Sequence, residues 1–264
     1  MLRQTSKGIA NVLRYLRELS LFFKTKHMRK LSYSSIKQFG KSPNHFLQYI
    51  NREQEPTSAM IKGTAFHCLV LEAAKFRADY AVAPKVDRRT KAGKETWANF
   101  SSENEGKEVI TQQDWNDISE MAKAFYNYEH SSSLLTMDVE QHLEGKIQGL
   151  DFRGYADIVG DNYVADLKSC QDSSPEKFMR DAYNMDYHLQ AAIYLELTGK
   201  ERYYIIAVES SAPYNVAVYE MSFEMITAGR KKLYELIEKF KEWDGMPETY
   251  STKIELLTLP AWAK

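Results

Sequence analysis

The stretch Gly154-Tyr-Ala-Asp157-Ile-Val-Gly-Asp-Asn-Tyr-Val-Ala-Asp166-Leu-Lys168 gathers two carboxylates and an amine within a short span. Side chains two apart on a strand share a face, so Asp166 and Lys168 project together while Leu167 points away. Asp157 stands near the end of the preceding strand, and a tight turn at Gly160 to Asn162 brings it across a hairpin toward Asp166. Two carboxylates converging on one point repel unless a cation neutralises them, and an all-oxygen site on a strand edge suits Mg2+ or Mn2+. Such a metal polarises a phosphodiester and lowers the pKa of its bound water, while a neighbouring lysine orients that water or supports its deprotonation. The plain alternative is a turn aspartate beside a solvated cross-strand pair. Against it, Val164, Ala165 and Leu167 flank the charges with apolar residues, and charges on a buried strand need a reason.

Other residues able to take part lie elsewhere in the chain. Gln190 and Tyr194 are four apart in His188-Leu-Gln190-Ala-Ala-Ile-Tyr194 and share one helical face. His67 lies in Gly63-Thr-Ala-Phe-His67-Cys-Leu-Val-Leu-Glu72, an otherwise apolar helix, where it is either a satisfied core residue or a ligand. Gly63 and Ala65 leave room there for a backbone or a ligand to approach. Arg88, Arg89, Lys91 and Lys94 form a basic stretch with Gly93 for flexibility and Trp97 for stacking or packing. It is either a cationic loop that grips phosphates or a solvated charge run.

The elements that must position these residues follow from periodicity. A helix is expected around Ile36 and Phe39, capped by Ser34 or Ser35, then a loop at Lys41-Ser42-Pro43, a helical stretch over 60–76 and a helix over 112–128 opened by Thr111. The middle reads as a β-meander: a strand over 138–148, a turn at 149–151, and strands over 152–159 and 163–168. One helix over 175–197, strands over 203–208 and 217–221, and a closing helix over 223–243 complete the order. The result is an α/β sandwich, a short mixed sheet flanked by helices.

The 264 residues suffice for a substantial core, and 44% hydrophobic against 27% charged residues excludes a disordered or fibrous chain. The net charge of -1 means that a nucleic-acid partner must be held by a local patch. Charges interrupt every hydrophobic run, so no membrane span is expected. Cys68 and Cys170 belong to no C-x-x-C pair, which argues against a thiol redox motif or a four-cysteine cluster and suits a reducing cytoplasm. Residues 1–30 carry eight Lys or Arg against one acid, with apolar residues at helical spacing, and read as a basic amphipathic extension to a domain over 31–264.

Taken together, G-x-x-x-H at Gly63 to His67, G-x-A-D at Gly154 to Asp157, D-x-K at Asp166 to Lys168 and Q-x-x-x-Y at Gln190 to Tyr194 resemble the RecB-like branch of the PD-(D/E)XK nuclease superfamily, and within it the RecE-type exonucleases (exodeoxyribonuclease VIII). The opening Leu31-Ser-Tyr-Ser-Ser-Ile-Lys-Gln-Phe, the basic segment from Asp87 to Trp97 and the ending Leu259-Pro-Ala-Trp262 resemble the same family, so the likeness runs from about residue 31 onward. The resemblance implies a PD-(D/E)XK core and a divalent metal, Mg2+ with Mn2+ as substitute. It further implies His67, Asp157, Asp166 and the Leu167 carbonyl as metal ligands and Lys168 as the group that activates water. Gln190 and Tyr194 would position the scissile phosphate or terminal nucleotide, and Glu140 would serve as an outer-shell or second-metal carboxylate. It implies, finally, degradation of one strand of linear duplex DNA from the 5′ end, leaving a 3′ overhang for a single-strand-annealing protein, by a ring of three or four copies in a bacterial or phage-infected cell. The alternatives are a DNA-binding or assembly protein on an inactive nuclease fold, or another RecB-like nuclease acting on single strands or flaps.

Overall fold

The computed structural model describes residues 30–51, 56–136, 138–248, 254 and 256–259. The basic extension, apart from Lys30, and the Pro260 to Trp262 ending lie outside them. The chain divides into two compact units, residues 53–234 and the remainder on either side of that span.

In the smaller unit, α1 (Tyr33–Lys41) and α2 (Pro43–Asn51) meet at Ser42. The cap of α1 is Ser32, not Ser34 or Ser35: its hydroxyl accepts from Ser35 N–H, and the Ser35 hydroxyl accepts from Ser32 N–H in return. This reciprocal box satisfies two amides that a cap further along the chain would leave unpaired. Phe39, Phe46, Phe240 and Trp243 pack ring against ring as this unit's core.

The larger unit opens with α3 (Ser58–Leu71) and α4 (Ala73–Asp79), two helices where the periodicity predicted one, because the backbone at Glu72 leaves helical geometry. Strands β1 (Tyr80–Val82) and β2 (Glu108–Ile110) pair in parallel. Between them the expected basic loop is in its second half a helix, α5 (Lys91–Glu103), capped by the Thr90 hydroxyl. Gly93 is there for space, since a Cβ would fall 2.0 Å from the Asp87 carbonyl oxygen. Helix α6 (Gln112–Asn127) starts at the Thr111 cap as predicted, and a short α7 (Glu129–Ser132) follows.

The main sheet has strand order β3 (Val139–Ile147), β4 (Leu150–Val159), β5 (Tyr163–Cys170), β6 (Arg202–Glu209), β7 (Val216–Glu220). The β3–β4 turn is two residues, Gln148 and Gly149, both at positive φ, which is the tight hairpin whose twist suits antiparallel strands. It fixes the register Ile147↔Leu150 through Val139↔Ile158. Strand β5 lies parallel to β6, and that arrangement demands a crossover, supplied by α8 (Pro175–Asn184) and α9 (Tyr187–Thr198). The predicted single helix breaks at Asp186, which takes left-handed φ 62 and turns the chain. Helix α10 (Phe223–Glu242) closes the order. Val164, Ala165 and Leu167 on β5 are fully buried, and Phe66, Ile118, Phe125, Ile206 and Val208 share a core with the last two.

Candidate active site

The site forms where β4 and β5 part. Their ladder contains only Ile158↔Ala165 and Val159↔Val164. One residue earlier, Asp157 turns its carboxylate into the gap, and Oδ2 accepts the Leu167 N–H at 2.7 Å in place of a strand partner. Helix α3 brings His67 Nδ1 to 3.5 Å from the same oxygen. Continuing the β3–β4 register by one step between Val139↔Ile158 and Gln141↔Ala156 sets Glu140 directly opposite Asp157, with Glu140 at left-handed φ 48. Like charges facing across a ladder are destabilising, and a strained backbone persists only where its surroundings hold it. Donor atoms of His67, Glu140 and Asp157 all lie within 4.8 Å of one another.

Asp166, 2% exposed, is engaged differently. Its Oδ1 accepts from Gln190 Nε2 at 2.7 Å, and its Oδ2 lies 2.5 Å from Lys168 Nζ. The ammonium also sits 5.0 Å from the centre of the Tyr187 ring. Gln190 Oε1 is buried without a hydrogen-bond partner among the described residues. Tyr194, one turn along α9, lies over Gly154: a Cβ there would come within 2.7 Å of Tyr194 Cε1. The glycine of G-x-A-D and the tyrosine of Q-x-x-x-Y are thus two halves of one contact.

The electrostatics describe a site short of positive charge. Burial first, and then the Asp166 charge, push the Asp157 carboxyl well above the usual range. Burial and Glu72 push Glu140 up. Burial, followed by Lys168, pulls His67 down to about 4, so its imidazole is neutral with a lone pair available, and the Leu167 backbone faces it. Burial alone would lower Lys168, but Asp166 and Asp157 outweigh it and keep the ammonium charged. A cleft of about 990 Å³ opens over His67, Glu140 and Asp157, lined also by Gly63, Ser169 and Met185 among others. Gly63 keeps it open, since a Cβ would meet Ser169 Oγ at 3.3 Å.

The basic residues do not line this cleft. Arg88 stacks on Trp97 at 4.0 Å, Arg89 is held by both oxygens of Asp87, and Lys91 and Lys94 stand exposed on the first turn of α5. The sequence reading missed Tyr187, Ser169 and Met185, which carry no signal until the α8–α9 break and the α3–β5 packing are known.

The family model described as PDDEXK-like domain of unknown function (DUF3799) matches residues 32–256. The chain belongs to this family. Among curated proteins none matches the sequence. Of solved structures, this PDDEXK-like chain is similar to a candidate exonuclease from Eubacterium rectale, at 12% identity and TM-score 0.57, with 90% of this chain and 92% of that one covered. It is also similar to a phage-related exonuclease from Haemophilus somnus, at 14% identity and TM-score 0.32 over 60% of this chain and 90% of that one. A third is an alkaline exonuclease from Laribacter hongkongensis, at 11% identity and TM-score 0.31 over 67% and 87%. At such identities the first likeness is one of fold, and it agrees with the five-stranded mixed sheet flanked by helices.

Proposed function

We propose that the protein is a metal-dependent exodeoxyribonuclease that degrades one strand of linear duplex DNA from the 5′ end and leaves a 3′ overhang. The observation that carries the reading is the convergence of His67, Glu140 and Asp157 beside the buried Asp166–Lys168 pair. The donor set fits a divalent cation: a neutral imidazole, and carboxylates whose burial and mutual repulsion a cation would relieve. His67, Glu140 and Asp157 would hold it, with Asp166 and the Leu167 carbonyl adjacent. When bound, such an ion polarises the phosphodiester and lowers the pKa of water.

The chain's own groups do the rest. Lys168, kept cationic and fixed by Asp166, donates to the attacking water or to the phosphate oxygen on which charge develops. Gln190 holds Asp166 through Nε2 and so fixes the carboxylate that orients Lys168. Tyr194, packed on Gly154, fixes the α9 face from which Gln190 projects. Arg88, Lys91 and Lys94 hold the backbone of the flanking duplex. A ring of three or four copies and a single-strand-annealing partner belong to the same proposal, which the family resemblance supports. Digestion of linear duplexes labelled at the 5′ or the 3′ end, with and without Mg2+, tests it. Loss of the 5′ label first, only with metal, is expected; no digestion in Mg2+ or Mn2+ favours the assembly-protein reading.

A further inference from the structure

The chain between α8 and α9 passes the mouth of the cleft, and its side chains are arranged for a purpose the cation site does not use. Tyr183, on the last turn of α8, stacks on His188 of α9 with ring centroids 5.2 Å apart and planes inclined by 8°. His188 is 4% exposed, held from behind by α10, whose Gly229 lies so close that a Cβ would fall 2.0 Å from the His188 carbonyl oxygen. Its Nε2 lies 3.8 Å from Asp186, which Lys232 pairs at 2.5 Å. The inner face of the Tyr183 ring is therefore backed by a fixed imidazole, while the residue as a whole is 63% exposed. A large aromatic ring presented to solvent on a rigid backing is costly as surface and useful as a platform. Two residues on, Met185 is 51% exposed and lines the cleft that holds His67, Glu140 and Asp157. Two further on, Tyr187 lies against Lys168.

We propose that this elbow is a nucleobase-stacking site: the outer face of Tyr183 receives an unpaired base of the strand whose phosphate lies in the cleft, with Met185 filling the space against it. The inference rests on the nuclease reading and sharpens it, because a base inside a duplex reaches an exposed ring only after leaving its own helix, whereas a base of a single strand is free to do so. The chemistry recognised is the π-face common to all bases, so the site is tolerant of sequence. It suits a frayed or single-stranded end, whose bases present both faces.

The test uses the full chain and single-stranded oligonucleotides about a dozen nucleotides long, with Ca2+ in place of Mg2+. Each carries 2-aminopurine near its end or an abasic site at the same place. Wild-type protein is expected to quench the 2-aminopurine and to prefer the base-containing strand to the abasic one roughly tenfold, the usual weight of one stacked base. Tyr183→Phe and Tyr183→Trp keep the preference. Tyr183→Ala loses it, as does Tyr183→Leu, which preserves an apolar cover on His188 without a ring. Equal weakening of base-containing and abasic strands in Tyr183→Leu would show that the tyrosine only supports the elbow, and an unchanged preference would show that the base stacks elsewhere; either overturns the proposal. If wild type cleaves DNA with metal but shows no preference, the stacking site alone fails. If it neither binds nor cleaves any strand, the nuclease reading fails with it.

Discussion

Gly154 on β4 and Tyr194 on α9 are mutually required: the ring occupies the volume a Cβ would need, with Cε1 at 2.7 Å from that point. Gly154→Ala should push the ring and with it the α9 face that carries Gln190. A cost of about 1–3 kcal/mol is expected, the usual range for an overpacked core site. Urea unfolding of Gly154→Ala, Tyr194→Leu and the double variant forms a cycle. Strong coupling, with the smaller leucine rescuing the alanine, is the expected outcome, and independent effects would mean that the contact is incidental.

Lys168→Met should reduce cleavage at least about a hundredfold, the lower range for removing a positioned proton or charge donor. It should also bind Mg2+ or Mn2+ more tightly than wild type, because the ammonium repels a cation placed near Asp157 and Asp166. Asp166→Ala should instead lose stability, since it leaves the Lys168 charge buried without its partner. Calorimetric metal titration separates these expectations: weaker binding by Lys168→Met would reverse the assignment.

His67→Gln is expected to fold normally, as the side chain is a quarter exposed and sits at a cleft. Its activity should fall more in Mg2+ than in Mn2+, which accepts nitrogen ligands more readily. A large drop in Tm with full specific activity would make His67 a packing residue.

Stability should weaken in acid for a reason outside the site. Glu209, 7% exposed, is pushed up by burial, but hydrogen bonds from Ser173 N–H, Ser173 Oγ and Asn215 N–H overcome this and hold it below its ordinary value of 4.5. A carboxyl lowered by folding stabilises fully above 4.5 and loses that contribution as pH falls through the folded value. Glu209→Gln should cost about 1–3 kcal/mol at neutral pH, and the difference from wild type should shrink below pH 4.5. Chemical denaturation across pH 3–6 measures it, and a constant gap would contradict it.

Replacing Arg88, Lys91 and Lys94 with Ala should flatten the salt dependence of duplex binding by roughly one unit of slope per lost phosphate contact, leaving turnover at saturation nearly intact. Arg89→Ala alone should matter less, because Asp87 already holds that guanidinium on both oxygens. Equal slopes in wild type and the triple variant would reduce the run to solvated surface.

The strands were legible because alternation and turn residues act locally: the three strands of the meander and the Thr111 cap lie where the pattern set them, but the first turn is Gln148-Gly149 and not 149–151, so that the second strand starts at Leu150. The place of Glu140 opposite Asp157 was not legible from a turn set at 149–151, because only the observed two-residue turn at Gln148-Gly149 gives that register. Helix α5 was not legible either, because its Lys, Glu and Thr residues resemble a loop until the Thr90 cap and the Gly93 packing are known. The break at Asp186 was hidden for a different reason: apolar periodicity continues through it, while the ion pair that Lys232 of α10 makes with Asp186 comes from distant sequence and leaves no local signal.

The brevity of the β4–β5 ladder has a mechanical consequence. The β3–β4 hairpin is stitched by eight register pairs and β5 to β6 by eight more, whereas two pairs, the Gly160–Tyr163 turn bond and the Asp157–Leu167 bond join β4 to β5 and with them these two plates. The sheet is therefore weakest along the line that carries its carboxylates. Glu140 and Asp157 belong to one plate, Asp166 and the Leu167 carbonyl to the other. An ion held across that seam, as proposed above, would act as a rivet, and the stiffness of the sheet, and with it the reach of the two plates around a strand, would then be a property the solution's divalent cations tune.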